Sequence, residues 1–263
     1  MAYNKLKLTT EGKVLVITLS DPATMNAAGV DMAAELGQAL AEAAKPDSGV
    51  RAIVITGEGR GFCSGANLQP SGAGGGERLA QAGDALKTTY NPMVTAVRNS
   101  PIPIVTAVNG AAAGVGCSIA LLGDIIVAGE SAYFLQAFRR IGLIPDGGST
   151  YILPRLIGRA RAMEMALLGE RVPAAKALKW GLINRVVPDA ELMPTAMAIA
   201  AELANGPASL GLTRQTIWAA LDSDWASQLD REAEGQNVAG RTEDFREGVA
   251  AFLQKRPAQF AGR

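Results

Sequence analysis

The sequence predicts a layered α/β domain that continues into a helical tail, on three observations. Strand-like and helix-like segments alternate through the first half of the chain. After about Gly158 the pattern turns almost wholly helical. Two loops of small residues, in GRGFCSGANL and NGAAAGVGCS, each follow a continuous apolar run. Alternating strands and helices build a sheet covered by helices, and loops leaving such strands are where the ligand crevice opens. The 263 residues, 48% of them hydrophobic, suffice for one large core.

Taken in order, KLKLTT and VLVITLS carry the β-branched character of strands. GVDMAAELGQALAEAAK repeats its apolar residues at the helical period, and RAIVITG is apolar throughout, as a strand covered on both faces must be. A helical stretch from about Glu77 to Asn99 follows. PIPIVTAV is a strand whose prolines sit at its start, where a missing N–H is tolerated. The small-residue turn leads into a helix at GCSIALLG, then into short strands at DIIVAGE and AYFLQ. Beyond these, RAMEMALLG, PAAKALKWG, DAELMPTAMAIAAELANG, PASLGLTRQTIWAAL, DWASQLDREAEGQNVAG and TEDFREGVAAFLQKR read as helices punctuated by Gly or Pro, with one strand at LINRVV. The expected division is a core at residues 1–200 and a helical oligomerisation region at 201–263. Helices with so little room for a private core pack on a neighbouring subunit, so an oligomer is expected. SGAGGG at 71–76 reads either as a mobile loop at a site mouth or as plain linker.

Composition narrows the chemistry. Lys and Arg total 25 and Asp and Glu total 25, which leaves no positive excess for a nucleic-acid partner. No apolar run approaches the roughly 20 residues needed to cross a bilayer, and MAYNKLKLTTEGK lacks the apolar centre of a signal peptide. A soluble, cytoplasmic protein without a membrane partner is expected. Two cysteines, Cys63 and Cys117, fit a reducing compartment and form neither a disulfide framework nor a metal-ligand spacing, so no metal is expected. The chain has no histidine. Ser-His-Asp and Cys-His nucleophiles are thereby excluded, and an Asp or Glu is left as the base of any enzyme here.

Small residues let a ligand approach the backbone, and an amide N–H at a helix start is polarised and unsatisfied. Two such amides from different loops would hold a negative oxygen without using a side chain. The alternative is that the small residues serve only tight turns and helix–sheet packing. Asp146, the first carboxylate after Glu130, lies nearby in IPDGGST. It reads either as a helix N-cap or as an acid/base in an apolar pocket.

GRGFCSGANL, AVNGAAAGVGCSIALLGDI, the long segment from SAYFLQAFRRIGLIPDGGST to GLINRVVP, and EDFREGVAAFLQKRPAQF together resemble the crotonase superfamily, the enoyl-CoA hydratase/isomerase family. The resemblance covers essentially the whole chain and is strongest to the branch of enoyl-CoA isomerases and 1,2-epoxyphenylacetyl-CoA isomerases. It implies a spiral of ββα units with a C-terminal helical trimerisation region, assembled as a homotrimer or a dimer of trimers. It implies an acyl-CoA thioester as substrate, with coenzyme A entering as part of that substrate. No flavin or nicotinamide fingerprint accompanies the motifs, and no added cofactor is expected.

By position in these motifs, the amides of Ala66 and Val115 would form the oxyanion hole, with Ser64, Gly65 and Gly114 beside them. Ala23, Met25, Asn67, Leu68 and a Lys255 from a neighbouring helix would meet the coenzyme A portion. Hydratases of the family carry two Glu residues where this chain has Ser118 and Phe138, neither of which can act as a base. Asp146 matches the acid/base of several isomerases, and a single carboxylate suits moving a proton from C2 to C4 of a 3-enoyl thioester. Where the family usually has a basic residue before its PxxxN element, this chain has Asp21. Gln136 and Arg140 either line the pocket or serve structure, Asn109 is placed to bond backbone around the turn, Asp124 and Glu130 read as finishing structural turns, and the aromatic residues near these motifs are Phe62, Tyr133, Phe134 and Phe138. A double-bond isomerase is the expected function. The alternatives are a hydratase with an unusual site and a non-catalytic acyl-CoA-binding subunit. A dehalogenase using an Asp nucleophile would need a histidine to activate water.

Overall fold

The computed structural model describes residues 3–67 and 82–263; Leu68, the SGAGGG stretch and the start of the helix expected from Glu77 lie outside the described residues. An antiparallel hairpin opens the fold, with β1 (Leu6–Glu11) at the edge and β2 (Val14–Leu19) inside it. β3 (Ala52–Gly57), β5 (Ile104–Val108), β7 (Ile125–Gly129) and β10 (Arg185–Val187) extend it in parallel, in the order β1-β2-β3-β5-β7-β10. A second sheet takes β4 (Gly61–Cys63), β6 (Ala111–Ala113), β8 (Tyr133–Leu135) and β9 (Val172–Pro173), in that order.

Successive turns of chain therefore place a strand in the large sheet, a short strand in the small sheet, and then a helix. β3 and β4 precede α2 (Asn91–Arg98), β5 and β6 precede α3 (Val115–Leu121), and β7 and β8 precede α4 (Ser149–Leu168). α1 (Val30–Ala43) follows the hairpin; α5 (Ala174–Trp180), α6 (Leu192–Ala204), α7 (Ser209–Ala220), α8 (Trp225–Ala239) and α9 (Glu243–Gln254) complete the chain.

The apolar runs are explained by two covered faces. Val14, Val16, Ala52, Val54, Val105, Ala107 and Val127 pack against Leu192, Ala196, Ile199 and Ala200 of α6. The alternate residues Leu15, Ile17, Ile53, Ile55 and Ile104 join Met32 and Leu36 of α1, Met93 and Val97 of α2 and Ile119 of α3. Each such aliphatic side chain contributes about 1.5–3 kcal/mol on burial, and a sheet buried on both faces has no polar face to alternate with.

Several expectations need correction. The small strands β4 and β6 lie in what the sequence reads as loop, because each is only three residues long, with Phe62 the one strand-favouring residue between them, and they pair only where the spiral brings them together. The PIPIVTAV strand begins at Ile104, since its prolines cannot donate to the ladder. Helix forms already at Ser149, and α4 is interrupted by Gly158 at φ 73. In LINRVV, Leu182 and Ile183 are buried and the ladder starts at Arg185.

α7 is fastened to the core by one buried cation. Arg214 pairs with Asp124 at 2.7 Å and donates to the carbonyls of Arg98 (2.6 Å), Ser100 (2.6 Å) and Val97 (2.8 Å). α8, by contrast, buries none of its residues within the chain.

Candidate active site

Asn26 builds the first wall. Buried and left-handed at φ 58, it accepts the Asp21 N–H at 2.8 Å and donates to the carbonyls of Glu58 (2.9 Å) and Gly61 (2.8 Å). Asn tolerates this conformation better than most side chains, and the knot pins the turn to the β3–β4 connection. Ser64 then donates its N–H to Met25 O (3.0 Å) and its hydroxyl to Thr24 O (2.8 Å). Ala28 N–H donates to Gly65 O at 2.7 Å, and Asn67 N–H donates to Ala28 O at 3.1 Å. This is a parallel bridge between Ala28 and Ala66 in which the Ala66 N–H faces away from Ala28. It has no acceptor among the described residues.

The second loop enters α3. Gly114 donates its N–H to Leu135 O at 2.9 Å, and its own carbonyl accepts from Cys117 (3.0 Å) and Ser118 (3.3 Å). Val115, at the first helical position, has an N–H without an acceptor among the described residues, as helix geometry requires. The two loops touch through backbone. Gly65 is at φ 107, and a Cβ there would stand 3.1 Å from Ala113 O; one on Gly114 would stand 3.7 Å from Gly65 Cα and 3.7 Å from the tip of the Phe138 ring. The close approach of the two loops thus depends chiefly on Gly65, where a side chain would be both strained and crowded.

The third wall is the segment before α4. Ser118 donates its hydroxyl to Asp146 O at 3.3 Å and shares a 2.8 Å hydrogen bond with Ser149 Oγ. A Cβ on Gly147 would lie 3.0 Å from Val115 Cγ2, so Asp146 and Gly147 ride on the first turn of α3. The Asp146 side chain does not cap α4. Gly148 occupies the cap position, and it is the Asp146 backbone carbonyl that accepts the Ser149 N–H. Asp146 Oδ1 is buried without a partner among the described residues, and desolvation pushes its carboxyl up from 3.8 to about 6.

Of the other expected residues, Ala23 is exposed and Met25 half-buried on the pinned turn. Asn67 is exposed beside them, and Leu68 lies outside the described residues. Lys255 ends α9 in a left-handed conformation with its side chain exposed, and within the single chain it is not brought to this cluster. Arg140 donates to Gly169 O (3.0 Å), Asn109 bridges Gly57 N (3.2 Å) and Gly59 O (2.9 Å), and Asp124 holds Arg214. All three are structural. Gln136 is buried with both amide atoms unpaired among the described residues. Asp21 pairs with Lys5 at 2.7 Å. Phe62 and Phe134 are core residues, and Arg171 lies 4.5 Å from the centre of the Tyr133 ring. Burial pushes the Cys63 thiol up to about 11 and that of Cys117 to about 12, which removes both as thiolates at neutral pH.

Sequence reasoning missed Asn26 and Tyr90. Tyr90 donates its hydroxyl to Ala28 O at 2.9 Å. A signal for Asn26 existed in the PATMNA stretch, whereas nothing local marks Tyr90. Among the described residues no cluster of metal-ligating side chains occurs, and no helix is long and apolar enough to cross a membrane.

A spiral of ββα turns with helices after it, holding two facing backbone-amide loops beside a lone carboxylate, is the crotonase fold. A solved structure described as a putative enoyl-CoA hydratase from Streptomyces coelicolor A3(2) superposes with a TM-score of 0.92 at 35% identity, over 100% of this chain and 96% of that one. Residues 9–263 match the enoyl-CoA hydratase/isomerase family, and the chain belongs to it as an acyl-CoA enzyme. It is 43% identical over 254 residues to the 1,2-epoxyphenylacetyl-CoA isomerase of Escherichia coli K12, covering 96% of this chain and 97% of that protein. It is 44% identical over 264 residues to a probable enoyl-CoA hydratase of Rhodobacter capsulatus, covering 100% of each.

Proposed function

We propose that the protein isomerises an enoyl-CoA thioester, moving the double bond from the 3- to the 2-position with Asp146 as its single acid/base. The observation that carries this reading is the half-buried Asp146 carboxyl, unpartnered at Oδ1 and titrating at about 6, beside two unspent amides. The Ala66 and Val115 N–H groups polarise the thioester carbonyl; one such donor is typically worth about 2.7–4 kcal/mol in the transition state. The C2–H bond breaks toward Asp146, and its electron pair delocalises through the carbonyl and the C3=C4 bond. The same carboxyl returns the proton to C4, leaving the double bond at C2=C3 with no water consumed. Ser118, its hydroxyl engaged with Asp146 O and Ser149, and Phe138, buried against Gly114, supply no carboxylate for a water. The name of the Escherichia coli relative, a 1,2-epoxyphenylacetyl-CoA isomerase, supports an isomerase.

Coenzyme A is part of the substrate and no other cofactor is proposed. Its nucleotide end runs past Ala23, Met25 and Asn67, with Lys255 supplied by a neighbouring subunit. A homotrimer or dimer of trimers fits the bare face of α8 and α9, where Trp225 is 79% and Phe252 83% exposed. A cytoplasmic location is proposed with it.

The second reading, hydration in an unusual site, is favoured by the name of the Rhodobacter capsulatus relative. The test is turnover of 3-hexenoyl-CoA and, separately, crotonyl-CoA in deuterated water, beside Asp146→Ala. 2-Hexenoyl-CoA, formed at least ~10²-fold more slowly by the variant, is expected, its deuterium content reporting how far the Asp146 proton exchanges with solvent before return. A 3-hydroxyacyl product at a comparable rate would make the protein a hydratase, silence on both would turn the search to aromatic or ring-epoxide thioesters, and binding without turnover over a panel of acyl-CoAs would support a non-catalytic member.

A further inference from the structure

The Ala28 carbonyl accepts two hydrogen bonds, from the Asn67 N–H at 3.1 Å and from the Tyr90 hydroxyl at 2.9 Å. Ala28 is also the donor to Gly65 O, so this one residue holds the backbone on both sides of Ala66. That bridge sets the direction of the Ala66 N–H, and Ser64 anchors the start of the same ribbon through Met25 O and Thr24 O. Tyr90 arrives from a distant part of the chain, at the end of a π-helical turn, Leu86–Tyr90, that runs into α2. Such turns are rare and concentrate at functional sites. Its ring packs with Ala66 against the main core. Burial first and the Asp146 charge second hold its hydroxyl above the ordinary tyrosine range, which puts the hydroxyl within electrostatic reach of that carboxylate.

We infer that Tyr90 is a positioning residue, whose hydroxyl locks the Ala28 carbonyl and so aims the Ala66 N–H toward the space in front of Asp146. The inference rests on the reading of that amide as an oxyanion donor. An oxyanion hole works only when its donors lie about 2.7–3.1 Å from the charged oxygen, and small misplacements are costly in rate. Without the hydroxyl, Ala28 O keeps a single partner and the ribbon is free to shift by a fraction of an ångström.

Tyr90→Phe keeps the ring and its packing and removes only the hydroxyl. The probe is 4-(dimethylamino)cinnamoyl-CoA, an enoyl thioester whose absorption moves to longer wavelength as its carbonyl is polarised. The wild-type protein is expected to red-shift it. The variant is expected to bind it within about 2-fold of the wild-type affinity but with a smaller red shift, and to lower kcat for 3-hexenoyl-CoA about 10-fold with KM little changed. An equal red shift in both proteins overturns the inference alone. A wild-type protein that leaves the spectrum unchanged overturns the oxyanion reading and the inference with it. A smaller shift accompanied by a large fall in Tm would make Tyr90 a merely structural residue and would equally overturn it.

Discussion

Replacing Asp146 by asparagine preserves the side chain's shape and removes its charge, with opposite effects on activity and stability. The carboxyl titrates at about 6 in the folded protein against 3.8 for the unperturbed group, and desolvation is the cause. Below pH 3.8 both folded and unfolded states hold the proton, so the carboxyl costs nothing there. As pH rises through the interval up to about 6, the unfolded chain releases a proton that the folded state retains, and stability falls; above that the loss is complete. The full difference corresponds to at most ~3 kcal/mol, and partial solvent access at this half-buried residue reduces it to about 1–2 kcal/mol. For a chain of this length that is a rise in Tm of roughly 2–6 °C for Asp146→Asn. Thermal unfolding of both proteins at pH 8 and pH 4, at equal protein concentration, should show the variant more stable at pH 8 and most of the gap lost at pH 4. Turnover of 3-hexenoyl-CoA by the same variant should drop by at least ~10²-fold. A variant equal to wild type in stability at pH 8 would refute the desolvated carboxyl, and one equal in turnover would refute its role.

Gly65→Ala places a side chain at φ 107 and a Cβ 3.1 Å from Ala113 O, where the two loops touch. A cost of about 1–3 kcal/mol in stability is expected. A fall of about 10²-fold in kcat/KM should accompany it, and unchanged kinetics would show that the loops can separate without consequence. Arg214→Met leaves the Asp124 carboxylate and the Arg98, Ser100 and Val97 carbonyls without their shared donor. Urea unfolding should register a loss of about 3–5 kcal/mol with kcat unaltered below the transition, and a loss under about 1 kcal/mol would mean that water replaces the guanidinium.

How much of this molecule could be read in one dimension depends on how local the physics is. RAIVITG and PIPIVTAV announce buried parallel strands because covering both faces leaves its mark on every residue of the run. The absence of histidine and the isolation of Asp146 in an apolar stretch narrowed the chemistry to a carboxylate before any contact was known. Small-residue loops announced a close approach of backbone, which Gly65 makes against Ala113, since such an approach demands the loss of side chains where it happens. Other features carried no local mark. β4 and β6 are strands only because the spiral lays them side by side, and their Gly and Ala residues would suit a turn equally well. Asp146 before GGST could have capped α4. The left-handed Gly148 takes the cap position instead, and the backbone carbonyl of Asp146 satisfies Ser149, which leaves Asp146 Oδ1 without a partner among the described residues. Tyr90 meets Ala28 across 62 residues of chain. Periodicity and composition record what each segment must bury, whereas the partner of a hydroxyl, a carbonyl or a carboxylate is chosen by whatever the fold brings within 3 Å of it, and that choice exists only in three dimensions.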